Sequence, residues 1–394
     1  MADLRGASLL AFGALAGVSR LVQDMHTTIE RRPAPTGAPP ILPARGITGL
    51  VYRGVHDGLR LTGAGANAML APFEQILASG ERTRKREALV AIVNGLYGDY
   101  LDRTDNPLAI EMSLRYQQQA IDVANPGESL RSAGSPPASS RLLILVHGLF
   151  MNDLKWSRDG HDHGAALAAE LGYSVLYLHY NSGLHIHDNG RQLADLLEQL
   201  IENWPVAVDE VSIIGHSMGG LVAHSACMHA EQLEQTWIER SSRLIFLGAP
   251  LLGAPLVRGG HLLDVLLDQS PYSAPLARVR KLRSAGIKDL RHGVVSAEPL
   301  TQASLPRGVK CYAAATTRGD RQGLLADKLI GDGLVPVDSA LGRHSDPAKT
   351  LPIPESQQWV GQGISHLEML SSPEVYARLR DWLGERAPNA RTAG

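Results

Sequence analysis

Short apolar runs alternate with stretches of helical spacing between Arg141 and Glu385. The first run is continuous and apolar, as in a strand buried on both faces of a parallel sheet. Strands that alternate with helices predict an α/β fold with a mostly parallel, doubly wound sheet. We predict six strands, which lie within RLLILVHG, YSVLYLHY, DEVSIIG, SRLIFLGAP, VKCYAAATT and QQWVGQ. A last helix, SPEVYARLRDWLGE, has Ser372 as its N-cap.

The chain of 394 residues is longer than one hydrophobic core usually serves. We therefore predict a helical region over 1–125, a linker over 126–140, and an α/β domain over 141–394. The segment between the fourth and fifth strands, 251–307, is too long for a simple crossover. It contains helix-like pieces and is predicted to be a helical insertion that covers the edge of a site, as lids do.

Apolar residues recur at helical spacing near the N-terminus. The run from Ala7 to Val18 falls short of the ~20 residues that span a bilayer. It is interpreted as part of an amphipathic helix, with an export or anchor signal as the alternative. Two more helices are predicted, over Ile47–Leu61 and Arg86–Leu101. A basic cluster is interpreted as a solvated helix start, with a contact with anionic lipid as the alternative; it consists of Arg82, Arg84, Lys85 and Arg86.

Charge and cysteine content exclude several classes of function. The formal net charge is -2, with 38 basic and 40 acidic residues, so nothing in the overall charge favours nucleic-acid binding. The two cysteines, Cys227 and Cys311, form no CxxC pair, which argues against a metal or redox cysteine motif. They are interpreted as buried thiols, with a disulfide between them as the alternative.

The sequence GHSMG, from Gly215 to Gly219, matches the pattern G-x-S-x-G between a predicted strand and a predicted helix. A strand that turns sharply into a helix can hold a nucleophile at its apex, and the flanking residues must then be small. Ser217 is therefore the predicted nucleophile. The alternative interpretation is an ordinary glycine-rich turn.

A serine nucleophile needs a base, and the base needs a carboxylate that holds its tautomer. In the expected chain order, both follow the serine. Asp332, between two glycines, is the predicted acid, with Asp338 as its rival. His366 is the predicted base, with His344 as its rival. Either predicted residue would otherwise be an ordinary surface loop residue.

An oxyanion hole requires two N–H donors aimed at the position where negative charge develops. The residue after the nucleophile, Met218, should supply one. The loop after the first predicted strand should supply the other, from the backbone of Leu149. His147, in the same loop, is interpreted as structural because it precedes Ser217 in the chain.

The motifs VHGLF, GHSMGG, LGAPLLGAP, GDGLVPV and SHLEML resemble the α/β-hydrolase superfamily. The likeness is to lipase and esterase branches related to the GPI-inositol-deacylase-like hydrolases, and it covers about Arg141 to Glu385. It implies Ser217 as nucleophile, Asp332 as acid and His366 as base, in ester hydrolysis without a cofactor. Leu251 and Leu252 stand where the lipase pattern usually has His or Arg, which leaves that contact in doubt.

Two histidine pairs have weaker signals. His161 and His163, beside Asp159 and Asp162, are interpreted as helix capping or surface loop, with metal binding as the alternative. His185 and His187 follow a strand end and line the site rim or belong to an ordinary loop. No metal is expected.

The resulting hypothesis is a serine hydrolase of carboxylic esters with a small-molecule or lipid substrate. An acyltransferase, thioesterase or amidase on the same residues is the first alternative. A non-catalytic, membrane-associated protein is the second. A cytoplasmic location is expected, with peripheral membrane contact through the N-terminal helices as a further hypothesis.

Overall fold

The computed structural model describes residues 83–253, 284–298, 304–319 and 331–385. The opening helix, the helix predicted over Ile47–Leu61, and Arg82 lie outside the described residues. So do most of the two helix-like pieces of the predicted insertion.

The chain forms two compact units. One comprises residues 1–86 and 101–108, and the other comprises 87–100 and 109–394. In the described part of the first unit, the backbone N–H of Asn106 donates to the carbonyl of Leu101 over 2.9 Å. Everything below concerns the second unit.

A central sheet of eight strands organises the second unit. Its strands are β1 (Ser113–Tyr116), β2 (Gln119–Ala120), β3 (Arg141–Val146), β6 (Ser174–His179), β7 (Glu210–His216), β8 (Ser241–Leu247), β9 (Lys310–Thr317) and β10 (Gln358–Gln362). A separate hairpin pairs β4 (Ser157–Arg158) with β5 (His161–Asp162). The sheet order is β10-β9-β8-β7-β3-β6-β1-β2. The six predicted strands are all present, and every pair among them is parallel.

The edge formed by β1 and β2 differs from the prediction. Both strands lie within 1–125, which was predicted to be wholly helical, and both are antiparallel. β1 has four residues, of which only Leu114 is buried, so its alternation is too short to stand out in the sequence. A further helix, α2 (Pro126–Ser132), occupies part of the predicted linker, 126–140.

Eight helices occur within the described residues, the first of which has its two ends in the first unit. They are α1 (Arg84–Arg103), α2, α3 (His163–Leu171), α4 (Ile186–Glu202), α5 (Met218–Gln232), α6 (Ala285–His292), α7 (Val337–Ala340) and α8 (Pro373–Gly384). Side-chain caps define several starts: Asp162 accepts from Ala165 N–H, and Ser372 accepts from Val375 N–H, as predicted for the last helix. None of the described helices combines the length and apolar character that crossing a membrane requires.

The helices pack in pairs. Helices α4 and α5 contact each other, and α3 contacts α8. Alternate residues of a strand point to opposite faces of the sheet, so Leu143 and Leu145 share a face. They belong to a buried apolar cluster that includes Leu167 of α3 and Leu379 of α8. This doubly wound arrangement leaves the carboxyl ends of the parallel strands at one edge, where ligands bind in such sheets.

The backbone at Gly253 meets the backbone at Gly293, and this contact forms a closed stem. The amide N–H of Gly253, the last described residue before 284, lies close to Gly293, just after α6: a Cβ on Gly293 would stand 2.6 Å from it. The hydroxyl of Ser339 donates to the carbonyl of Gly253 over 2.6 Å. Both glycines have positive φ, +84° and +65°, which suits a close backbone approach. The predicted insertion therefore starts beside the place where α6 ends.

An ionic cluster lies at the opposite end of the sheet. Arg243 of β8 is fully buried and pairs with Glu210 of β7, whose carboxylate also accepts from Tyr173 and Arg141. Burial acts to raise the pKa of Glu210, but the Tyr173 hydroxyl and the two guanidinium groups lower it below its ordinary value. Arg243 also donates to the carbonyl of Glu385, at the end of α8. The cluster thus connects the sheet to the last helix.

The two cysteines are free and buried, so the prediction of buried thiols is confirmed and the disulfide alternative is wrong. Burial raises the pKa of Cys311 to about 12 and that of Cys227 well above its ordinary value. The folded protein should therefore leave both thiols unreacted with Ellman's reagent at about pH 8, whereas guanidinium should release two equivalents. Rapid labelling without denaturant would contradict the burial.

Candidate active site

Ser217 lies at the turn between β7 and α5. Its backbone has φ +54° and ψ -125°, a region that non-glycine residues rarely occupy. Such strain costs about 1–3 kcal/mol and is held by the surrounding structure. Here the backbone N–H of Ser217 donates to the carbonyl of Leu247 over 2.9 Å, and its own carbonyl accepts from Gly220. The side chain is therefore held at the carboxyl end of the sheet, as the sequence pattern predicts.

The glycines around Ser217 are required by close backbone contacts. A Cβ on Gly215 would lie 2.4 Å from the Cα of Gly220. A Cβ on Gly219 would lie 2.2 Å from the carbonyl oxygen of Val146, in the neighbouring strand. Both distances are far shorter than real Cβ contacts, so larger residues would push the helix off the sheet. The turn that exposes Ser217 therefore depends on these small residues.

Asp332 and His366 form a buried pair. Nδ1–H of His366 donates to Oδ2 of Asp332 over 2.6 Å, and both residues are nearly inaccessible, at 3% and 2% exposure. The other carboxylate oxygen, Oδ1, accepts from the backbone N–H groups of Leu334 and Val335, each over 2.9 Å. Because Nδ1 carries the proton, Nε2 of His366 is left as an acceptor.

Loops after two neighbouring strands, β9 and the edge strand β10, supply this pair. Asp332 follows β9, between Gly331 and Gly333, whose φ values of +56° and +97° favour glycine. His366 follows β10, and its backbone N–H donates to the carbonyl of Asp332 over 3.1 Å. The two residues are thus joined through their backbones as well as their side chains.

Two contacts place the pair beside the turn of Ser217. Nε2–H of His216 donates to the carbonyl of His366 over 3.1 Å, and the two imidazole rings are 4.7 Å apart. Gly248 follows Leu247, which accepts from Ser217 N–H, and a Cβ on Gly248 would lie 3.3 Å from Oδ2 of Asp332. The structure therefore brings the three predicted residues to one end of the sheet.

The loop after β3 packs directly against Ser217. A Cβ on Gly148 would lie 3.0 Å from the Cβ of Ser217. Leu149 follows and is buried, and Phe150 has φ +62° with its N–H donated to the hydroxyl of Ser182 over 3.3 Å. Met218 is the first residue of α5, where backbone N–H groups have no partner within the helix. Both predicted oxyanion residues thus flank Ser217 in the chain fold.

The alternative candidates for the acid and the base lie outside the buried pair. Asp338 is an exposed residue of α7. His344 is exposed, and its Nδ1 accepts from the backbone of Asp346 over 2.9 Å. Neither takes part in the buried pair.

The remaining histidines of the sequence analysis have structural contacts. His147 stacks on Tyr180 with 4.3 Å between ring centroids, and burial lowers its pKa to about 3, so it stays neutral near pH 7. His163 is buried and donates through Nε2 to the carbonyl of Met369 over 2.9 Å. His161 lies 2.8 Å from Nδ1 of His163. Asp162 caps α3 and accepts from Tyr177.

Sequence reasoning missed three residues that position the site. In the sequence, His216 was identified only as the variable position of the motif. In the structure, burial and the neighbouring charge of His366 hold the pKa of His216 well below its ordinary value. Gly248 and Ser182 were not singled out. The signal for Gly248 is its place directly after a predicted strand, whereas the contact of Ser182 with Phe150 arises only in the folded chain.

A family model, the PGAP1-like alpha/beta domain, matches residues 143–295. This range includes Ser217, the loop after β3 and the start of the predicted insertion. A comparison with curated proteins gives no match.

Several solved structures are similar in fold. A lipase of Bacillus licheniformis, BlEst2 in mature form, is 18% identical and covers 69% of this chain and 98% of its own, with a TM-score of 0.42. The esterase Pf2001 of Pyrococcus furiosus is 15% identical and covers 63% of this chain and 84% of its own, with a TM-score of 0.39.

A hydroxyl on a strained turn and, at the same end of the sheet, a histidine held by a buried carboxylate are the groups that nucleophilic chemistry on an electrophilic carbon requires. The sheet has six parallel strands in the order β10-β9-β8-β7-β3-β6, with the turn of Ser217 after a central strand. This topology is that of an α/β-hydrolase fold, and over 143–295 the chain is similar to the PGAP1-like alpha/beta domain.

Proposed function

We propose that this protein hydrolyses carboxylic esters through Ser217, His366 and Asp332. The observation that carries the proposal is the 2.6 Å hydrogen bond between His366 Nδ1 and Asp332 Oδ2, next to the turn that holds Ser217. A hydrolase role agrees with the similarity to the PGAP1-like alpha/beta domain, and the choice of esters rests on the resemblance of the sequence motifs to lipases and esterases.

In the proposed reaction, the hydroxyl oxygen of Ser217 attacks the ester carbonyl, and Nε2 of His366 takes the hydroxyl proton. Asp332 stabilises the imidazolium that forms. Collapse of the tetrahedral intermediate breaks the bond to the alcohol, which receives the proton from His366. Water then attacks the acyl-enzyme with His366 as base, and the acid leaves as Ser217 regains its proton.

The backbone N–H groups of Leu149 and Met218 are proposed to bind the oxyanion. Support comes from their positions: Leu149 follows Gly148, which packs on the Ser217 side chain, and Met218 begins α5. The positive end of the α5 dipole lies at the same place and favours a developing negative charge.

We propose a substrate with an apolar acyl part, in keeping with the buried side chains of Leu149, Phe150, Met151 and Met218 around Ser217. Contact with a lipid surface through the residues before 83 stays a proposal. Hydrolysis rates for nitrophenyl esters of increasing chain length, with and without an emulsified phase, would separate esterase from lipase behaviour.

A fluorophosphonate probe should label the full chain at Ser217, because such probes react with activated serine hydroxyls. Labelling should disappear in Ser217→Ala and stay unchanged in Ser345→Ala, which changes an exposed serine outside the site. Ester turnover should follow the same pattern. Unlabelled wild-type protein with a cooperative unfolding transition would contradict the proposal. If labelling occurs but added alcohols or amines collect the acyl group in preference to water, the reaction is acyl transfer instead.

A further inference from the structure

A cluster of two histidines and one aspartate lies apart from the proposed triad. His185 and His187 stand at the start of α4, and Asp289 lies on α6. One potential ligand atom from each residue lies within 4.8 Å of the other two. We propose that these three side chains bind a divalent transition-metal ion, of which Zn²⁺ is the best fit.

The ligand types suit zinc. Imidazole nitrogens and a carboxylate oxygen are common zinc ligands, whereas Mg²⁺ and Ca²⁺ prefer oxygen alone. Zinc lies about 2.0–2.2 Å from such atoms, so two ligands of a tetrahedral ion are about 3.4 Å apart. The observed spread of up to 4.8 Å therefore requires the side chains to close by somewhat more than about 1 Å, which rotation of the histidines can supply. A water molecule would complete the tetrahedron.

Asp289 is already held in place. Its Oδ2 accepts from Nδ1–H of His185 and from the backbone N–H of Ile186, each over 2.9 Å. Only 10% of its side chain is exposed, whereas His185 is 47% exposed. The cluster thus has a fixed carboxylate at its base and an accessible histidine at its rim, which gives an ion a path from solvent and leaves His185 free to rotate.

His187 supplies an independent observation. Its Nδ1 is buried and has no hydrogen-bond partner among the described residues. Buried polar atoms are nearly always paired, so an unpaired one calls for an explanation. The ring of His187 stacks on that of His185 with 4.8 Å between centroids and 26° between planes. The two imidazoles can therefore turn towards one ion together.

The local charge also favours a cation. The start of α4 carries the positive end of a helix dipole, which by itself would repel a metal ion. The carboxylate of Asp289 already contacts this end, and Asp188 lies 3.8 Å from Nε2 of His187. These two carboxylates together balance the charge of a divalent ion.

An ion here would tie α4 to α6. The same stretch of chain contacts the proposed active site, since Ser182 accepts from Phe150, and the backbone of Gly286 lies close to Met218: a Cβ on it would stand 3.2 Å from the Met218 Cε. The ion would therefore brace the wall of the site without touching the substrate. It would not depend on catalysis, because none of its ligands belongs to the proposed triad.

Zinc binding by the full-length, chelator-treated protein tests the proposal. Equilibrium dialysis should give one Zn²⁺ per chain, and His185→Gln and His187→Gln should each weaken the affinity at least tenfold. Asp289→Asn should do the same while keeping an acceptor for Ile186 N–H. Ser217→Ala and His344→Gln, the latter changing an exposed histidine elsewhere, should bind as the wild type does.

Cobalt provides a readout that a structural effect would not produce. Co²⁺ bound by two imidazoles and a carboxylate should give a visible absorption band in the wild type that is absent in His187→Gln. The proposal is overturned if wild-type protein takes up no stoichiometric zinc. It is equally overturned if His185→Gln and His187→Gln keep the wild-type affinity, or if the band survives in both.

Discussion

Asparagine in place of Asp332 should lower kcat about ten-thousandfold, with folding preserved. The expected size follows from how the carboxylate is held. Oδ1 accepts from the N–H groups of Leu334 and Val335, so an asparagine would place its oxygen there and turn its NH₂ towards His366. The amide would then donate to Nδ1, forcing the proton onto Nε2. In that tautomer His366 cannot accept the proton of Ser217.

Steady-state hydrolysis of a short nitrophenyl ester at about pH 7.5 measures this effect. Asp338→Asn is the matched control, since it removes an exposed carboxylate only six positions further along. It should change kcat less than twofold. If Asp332→Asn keeps kcat within tenfold of the wild type, the proposed role of this carboxylate is wrong.

The turn of Ser217 could be predicted because its determinants are local. Gly215 and Gly219 surround the serine in the sequence, and the backbone contacts that require them arise from one strand–helix junction. The hydrogen-bonded pair of Asp332 and His366 was singled out from chain order and from the glycines beside Asp332, and its action on Ser217 stays a proposal. The parallel strands could be predicted for a similar reason, because each is a local run of apolar residues.

Other features depend on contacts between distant parts of the chain. His185 and Asp289 are 104 positions apart, and nothing in either segment predicts that they meet. The edge strand β1 was predicted as helix because four residues with one buried side chain carry too little periodicity. The buried pairing of Arg243 with Glu210 was equally hidden, because it joins two strands and depends on their register.

Methionine in place of Arg243 should reduce the free energy of unfolding by about 3–5 kcal/mol, because the buried carboxylate of Glu210 then loses its buried cationic partner. The side chain of Arg243 is 1% exposed, and it also holds the carbonyl of Glu385 at the end of α8. Chemical denaturation monitored by circular dichroism would measure the loss. The activity of the folded fraction should stay unchanged, because Arg243 lies at the opposite end of the sheet from Ser217.

Arg141→Met offers a matched comparison. Arg141 pairs with the same carboxylate over 3.2 Å, but its side chain is 32% exposed, so water can replace part of the interaction. Arg141→Met should therefore lower the free energy of unfolding by less than half as much as Arg243→Met does. Equal losses would mean that burial of the ion pair is not what makes Arg243 important.

Glu210 also sets a pH dependence. Its pKa is lowered in the folded protein, so its contribution to stability is present above the unfolded value, about 4.5, and is lost as pH falls through the folded value. Arg243→Met should weaken this acid dependence, since one of the charges that lower the pKa of Glu210 is gone.

The closed stem at Gly253 and Gly293 has a consequence for how this chain tolerates changes in length. The backbone at Gly253 meets the backbone at Gly293 in a joint braced by Ser339, so the residues between Gly253 and α6 begin from a fixed point of the domain. Doubling the length of a flexible connection adds only about 0.6 kcal/mol of closure entropy. A change in the number of residues between Gly253 and α6 should therefore leave the sheet and the turn of Ser217 in place.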